Sequence, residues 1–217
     1  MSRYKSRIAT FVATVSLFSG LVTVAVAVPV VEEAPSGSVQ RLSEAEYQLV
    51  RAGILTHGGF LRAVQTALRE GTNLNASLNG WRPLHYAADF GYTDIMKILI
   101  DAGADVNVAI EIGLTPLHLA SCSGHTDIAK ALIDARADVN VADSSGWTSL
   151  HYADHTDIAK ALIDAGADVN AMNSDGDTPL HRATDLGYTK VIKLLLANDA
   201  DLSIKNKNKQ TPLDVAR

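Results

Sequence analysis

Apolar residues along this chain fall into short clusters with helical spacing, and the clusters recur at a fixed interval. Ile95, Ile98 and Leu99 form one such cluster, and Val191, Leu194 and Leu195 another. The i, i+3, i+4 spacing places each set on one face of a helix. Ahead of the clusters stands a repeated string: Arg82-Pro-Leu-His85, Thr115-Pro-Leu-His118, Thr148-Ser-Leu-His151, Thr178-Pro-Leu-His181 and Thr211-Pro-Leu-Asp214. Its second residues, at positions 83, 116, 149, 179 and 212, are 33, 33, 30 and 33 residues apart. A second string closes each unit, at Gly103–Asn107, Arg136–Asn140, Gly166–Asn170 and, more loosely, Asp199–Ser203.

Each unit therefore predicts turn, helix, turn, helix, turn. Proline suits the first position of a helix, where its fixed φ is preorganised and its missing N–H is not needed. Gly91, Gly124 and Gly187 are placed to end that first helix in the left-handed conformation that glycine adopts cheaply. Thr93, Thr126, Thr156 and Thr189 are candidate caps of the second helix, with Asp94, Asp127 and Asp157 against its positive N-terminus. One helix pair cannot bury its apolar face alone, whereas a stack of them builds a continuous core.

The strings resemble those of ankyrin repeats, whose T-P-L-H-x-A signature and 33-residue period stand here three times nearly intact. The resemblance runs from about Ser43 to Arg217. It implies an all-α fold, an ankyrin-repeat solenoid of stacked helix pairs with projecting hairpin-like loops. It also implies that the histidines of the repeated string hydrogen-bond between neighbouring loops. The units divide as residues 43–76, a degenerate N-terminal capping repeat; 77–109 and 110–142, full repeats; 143–172, a shortened repeat; 173–205, a full repeat; and 206–217, a partial C-terminal repeat.

In the first unit, Ser43 and Glu46 match a capping box, Gly59 and Gly71 take the two turn positions, and Ala63, Val64, Ala67 and Leu68 lie on the second helix. In the shortened unit, Ala120 to His125 of the preceding repeat becomes Ala153-Asp154-His155, a loss of just under one helical turn. This predicts a notch or a weak point in the stack. His125–Asn140 and His155–Asn170 differ at one position in sixteen, Arg136 against Gly166. The backbone there is expected to be left-handed, so Arg136 is expected to be strained.

Composition narrows the function. Hydrophobic residues make up 47% of the 217 and charged residues 20%, which fits a folded chain. With four Phe, six Tyr and two Trp, the core must come from Ala, Leu, Ile and Val. The formal charge of −5 would repel a phosphate backbone, so no nucleic-acid partner is expected. Cys122 is the single cysteine, which excludes an intrachain disulfide.

The first residues carry a different signal. Arg3, Lys5 and Arg7 precede the apolar run Ile8–Val28, and Ala25-Val26-Ala27 supplies the small residues read by a signal peptidase. Residues 1–27 thus read as a signal peptide, predicting a periplasmic or secreted protein whose charge after cleavage is −8. The alternative is an uncleaved membrane anchor: twenty-one residues at about 1.5 Å each just span a ~30 Å hydrocarbon core. Residues 28–42, with Pro29, Pro35, Ser36 and Gly37, read as a flexible linker.

No catalytic constellation emerges. His151 and His155 imitate a metalloprotease H-x-x-E-H pattern, but Asp154 stands where glutamate is required and no glutamate follows Glu111 as a further ligand. A calcium loop starting at Asp168 fails, with Met172 at its fifth position and Pro179 at its twelfth. No cofactor is expected, and the chain reads as a monomeric, non-catalytic module for protein partners. In the family such partners meet the loop tips and the exposed face of the first helices. Here that face comprises Leu78, Asn79 and Trp81; Asp89 and Phe90; Glu111, Ile112 and Leu114; Cys122; Ser144, Ser145 and Trp147; and Asp175 and Asp177. Trp81 and Trp147 share one slot two repeats apart, and large exposed aromatics are frequent interface anchors.

Overall fold

The computed structural model describes residues 42–53 and 56–216. The proposed signal segment, the anchor alternative and nearly all of the linker lie outside these residues. Ten helices are found among the described residues: α1 (Glu44–Ala52), α2 (His57–Glu70), α3 (Pro83–Phe90), α4 (Thr93–Asp101), α5 (Pro116–Ser123), α6 (Thr126–Asp134), α7 (Ser149–Tyr152), α8 (Thr156–Asp164), α9 (Pro179–Asp185) and α10 (Thr189–Leu196). Each odd-numbered helix packs on the even-numbered one that follows it. First helices then stack in the order α3, α5, α7, α9, and second helices in the order α2, α4, α6, α8, α10. The all-α solenoid expected from the repeats is what forms, and no strand occurs among the described residues. The loops are hairpin-like, with single antiparallel bridges between Leu78 and Trp81 and between Ala142 and Thr148.

The core follows the periodic positions. Ile95 and Leu99 of α4, Ile128 and Leu132 of α6, and Ile158 and Leu162 of α8 are fully buried, as are Leu84, Leu117 and Leu150 of the first helices. Pro83, Pro116 and Pro179 stand at helix starts, and Gly91, Gly124 and Gly187 end or follow the first helices with φ of 76°, 75° and 70°. Gly146 shows why the loops need glycine. Its φ is 77°, and a Cβ there would lie 2.8 Å from the Ser174 nitrogen of the next loop.

Two ladders tie repeat to repeat. At one end of the units, Asn75, Asn107, Asn140 and Asn170 each accept the backbone N–H of the aspartate that begins the next Asp-Val-Asn-like string. The distances are 3.0, 2.8, 2.8 and 2.8 Å. At the other end stand the buried histidines. The backbone N–H groups of Thr115, Thr148 and Thr178 point at Nδ1 of His118, His151 and His181, at 3.1, 3.1 and 3.2 Å. A backbone N–H can only donate, so Nδ1 is the acceptor and the ring proton sits on Nε2. Nε2–H then donates across the repeat boundary, to the carbonyls of Trp147, Asp177 and Gln210 at 3.1, 3.0 and 3.0 Å.

Three local expectations are corrected. The second helices begin at Thr93, Thr126, Thr156 and Thr189, so these threonines occupy the first helical position. The caps are Tyr92, His125, His155 and Tyr188, and none of them makes a side-chain cap bond. Gly59 is not a turn residue. It lies inside α2, where its N–H donates to the Thr56 hydroxyl that caps the helix. The partial last repeat forms turns rather than a helix after Thr211, but Asp214 takes over the histidine's role by accepting from the Thr211 N–H at 2.8 Å. The Ser43–Glu46 capping box forms as expected, with bonds of 3.2 and 2.7 Å.

The deletion in the shortened repeat removes the second half of its first helix. α7 has four residues where α5 has eight, and Ala153 leaves it in an extended conformation. His151 lies before the break and keeps both of its ladder bonds. Residues 144–165 are predicted to exchange their amide hydrogens faster than the repeats on either side. Uniform protection across the stack would show that the missing turn carries no local weakness.

Arg136 and Asp199 have φ of 68° and 62°, where Gly103 and Gly166 have 81° and 90°. A side chain in this region costs on the order of 1 kcal/mol. Arg136→Gly is predicted to raise Tm by roughly 2–4 °C, and an unchanged or lower Tm would contradict the strain.

Candidate protein-docking face

The sequence-predicted residues gather on the loops and first helices, but their exposure differs. Asn79, Glu111, Ser144 and Asp175 are exposed, and Ile112 is 38% exposed. Leu78 and Ser145 are half-buried, and Leu78 pairs through its backbone with Trp81. Leu114 is the correction. Although it occupies the tryptophan slot of its repeat, it is only 3% exposed and belongs to the core rather than to the face. Asp177 is half-buried, and its carboxylate accepts a 2.7 Å bond from the Asn206 side-chain amide, so part of its function is structural.

Trp81 and Trp147 are both half-buried and sit alike. Trp81 packs against Tyr86 at a centroid distance of 5.0 Å and against His85 at 5.9 Å. Trp147 packs against Tyr152 at 5.3 Å and against His151 at 5.5 Å. Each indole is thus braced by its own first helix while part of it stays exposed. Tyr86 and Tyr152 were missed in the sequence. The signal was present, because both follow their tryptophan by five residues. Tyr152 is in turn held by its hydroxyl, which donates to the buried Asp143 at 2.6 Å. Asp143 also accepts from the Ser145 and Trp147 backbones, at 2.8 and 3.0 Å, and so fixes the whole loop tip.

Arg182 is the other residue that sequence reasoning missed. Its guanidinium lies 5.2 Å from the centre of the Trp147 ring, in the range of a cation–π contact. Its nearest ion-pair partner is Asp185 at 3.8 Å. Burial lowers the Arg182 pKa, while the influence of Tyr188, Asp185, Cys122 and Tyr152 raises it. Cys122 belongs to the repeat two before Arg182, so across the shortened helix these repeats become electrostatic neighbours. Cys122 is half-buried.

On the preceding repeats, Phe90 stacks on Tyr92 at 5.7 Å, and half-buried Asp89 accepts a long 3.4 Å bond from the Ser123 hydroxyl. Burial raises the Asp89 pKa, against the lowering effects of Ser123 and His125. The apparent metal pair does not converge as ligands. Both ring nitrogens of His151 are committed to the ladder, and exposed His155 pairs instead with Asp154. Among the described residues, no group of three or more potential ligands is assembled, and no helix is long and apolar enough to cross a membrane.

With the geometry described, comparison with known proteins identifies the class. A family model described as ankyrin repeats (3 copies) matches residues 53–110, 108–173 and 154–217, and the chain belongs to that family. Ankyrin repeats are generally protein–protein interaction modules. The chain is also similar to the ankyrin repeat-containing protein P1E11.10 of Schizosaccharomyces pombe, at 40% identity over 40 residues. That alignment spans 18% of this chain and 19% of the relative, about a fifth of its length.

The buried histidines give the stack a pH dependence. Burial brings His85 and His151 from an ordinary value of 6.5 down to about 4, with the Arg82 charge adding to the effect at His85; burial also lowers His118. These rings are neutral in the fold, and protonation favours the unfolded chain. Their contribution is therefore complete above about pH 6.5 and is lost as pH falls towards 4. The raised Asp89 opposes this with a single half-buried carboxyl. The urea midpoint is predicted to fall steadily between pH 6.5 and 4, and the fall should be shallower in His151→Gln. A midpoint that stays flat over this window would contradict the neutral ladder.

Proposed function

We propose that the chain acts outside the cytoplasm as a non-catalytic docking module, which captures a protein partner through the face carrying Trp81 and Trp147. The observation that carries this reading is the repeated geometry of the two indoles. Each is held by a tyrosine and a histidine of its own first helix and is half-buried, so part of the ring stays open to solvent. Rigid aromatic side chains lose little entropy on binding, and such residues dominate interface energetics. Ile112, Glu111, Ser144 and Asp175 on the neighbouring loop tips extend the surface around them.

The extracytoplasmic setting rests on Arg3, Lys5, Arg7, the Ile8–Val28 run and the Ala25-Val26-Ala27 site. Within that setting, a protein that protects or organises a partner of the same organism is the first reading, and an effector that binds proteins of another organism is the alternative. Retention of the apolar run would place the same module at a membrane. The compartment in which the captured partner resides separates these readings.

Trp81→Ala combined with Trp147→Ala is predicted to abolish capture of partner proteins from native extract while the helical circular dichroism signal persists. Undiminished capture by the folded double variant would refute the docking face.

A further inference from the structure

The repeats that carry Trp81 and Trp147 have an uneven charge. Residues 89–185 hold sixteen Asp and Glu against five Lys and Arg, a net charge of −11. In this stretch Asp89, Glu111, Asp154, Asp175 and Asp185 are exposed or half-buried on the loop tips, the first helices and the turns that end them. Exposed Arg136 sits in the turn that follows a second helix, and Arg182 is the single Lys or Arg of the loop tips and first helices. That one cation lies over Trp147. The slot therefore already demonstrates, within the molecule, what its indole accepts: a guanidinium.

Trp81 occupies the equivalent slot with the same bracing, and here the cation is missing. Arg182 is the third residue after the helix-starting proline of the repeat that follows Trp147. The same position in the repeat that follows Trp81 is Leu119, which is buried and uncharged. Arg82, the nearest arginine in sequence, is turned away to the carbonyls of Asn75 and Ala109, at 3.0 and 3.5 Å. Exposed Glu111 lies in the adjoining loop tip, where its backbone nitrogen is 3.5 Å from the position a Cβ of Gly80 would take.

Resting on the docking reading above, we propose that the partner presents a basic, arginine-bearing segment, and that one of its guanidinium groups stacks on Trp81 beside the Glu111 carboxylate. Planar guanidinium suits this site better than ammonium, because it stacks on an aromatic ring and pairs in-plane with a carboxylate at the same time. The remaining carboxylates from Asp89 to Asp185 supply a field of the matching sign. Exposed Lys205, Lys207 and Lys209 reverse that sign on the last loop. The basic part of the partner thus lies over the earlier repeats and points away from the C-terminal one.

The test uses the full chain with Trp147→Phe, so that Trp81 is the sole tryptophan, titrated with octa-arginine, octa-lysine and octa-glutamate peptides. Octa-arginine is expected to change Trp81 fluorescence and to bind several-fold tighter than octa-lysine. Its binding should weaken roughly tenfold between about 50 and 300 mM salt. Glu111→Gln, which alters an exposed side chain, should weaken octa-arginine several-fold, and Trp81→Leu, followed by a labelled peptide, roughly tenfold. Equal binding of octa-arginine and octa-lysine without a Trp81 response would reduce the effect to unspecific charge attraction and overturn the proposal. So would binding of octa-glutamate, or no binding of any peptide. If octa-arginine fails while the double tryptophan variant still loses its natural partner, the basic-segment inference falls and the docking face stands. Loss of both results removes both.

Discussion

The repeated histidine is the interaction on which the rest of the structure depends. One imidazole accepts the N–H of the residue that caps its own helix and donates across the boundary to the next repeat's loop, as at His118, His151 and His181. Both bonds are made by a neutral ring with its proton on Nε2. A single side chain thereby sets the start of a helix and the distance to the following unit. His85 marks the limit of the device. Its Nδ1 accepts from Arg82 at 3.2 Å, but its buried Nε2 faces the Leu114 and Val108 carbonyls without closing a hydrogen bond of ordinary geometry. The first joint between full repeats is thus held by packing and the Asn107 bond more than by its histidine.

The same constraint explains why the stack survives a deletion. The three missing residues fall after His151, so α7 loses its second half while keeping its cap, its ladder bonds and the buried Leu150. Ile158 and Leu162 of α8 remain fully buried. A deletion of the same size placed before the histidine would have separated cap from acceptor. Where the turn is missing, Arg182 reaches over Trp147 and comes under the influence of Cys122 two repeats earlier. The shortened unit thus changes the chemistry of the face more than the order of the core.

Much of this was legible in the sequence, and the misses share a cause. Steps of 33, 33, 30 and 33 located the units, and a one-residue difference between near-identical segments located the left-handed Arg136, because backbone geometry repeats when sequence repeats. Thr93 and its equivalents were misplaced by one position, since cap and first helical residue look alike without the dihedral angles. Leu114 was assigned to the surface by slot, yet an aliphatic side chain in that slot turns into the core, where the wider indoles of Trp81 and Trp147 cannot fully follow. Arg182 over Trp147 was invisible, because the contact joins side chains of different repeats and no spacing rule encodes it. The tyrosine braces were readable from their five-residue offset.

The fold therefore commits its buried polar groups to holding repeats together, while the indoles stay half-buried and the Glu111 and Asp175 carboxylates and the last-loop lysines stay exposed. This division stands or falls on the state of the histidines. Imidazole ¹⁵N chemical shifts of the labelled full chain near pH 7 test it most directly. The account predicts neutral rings protonated at Nε2 for His118, His151 and His181, in slow exchange with solvent. Charged rings, or rings protonated at Nδ1, would contradict it.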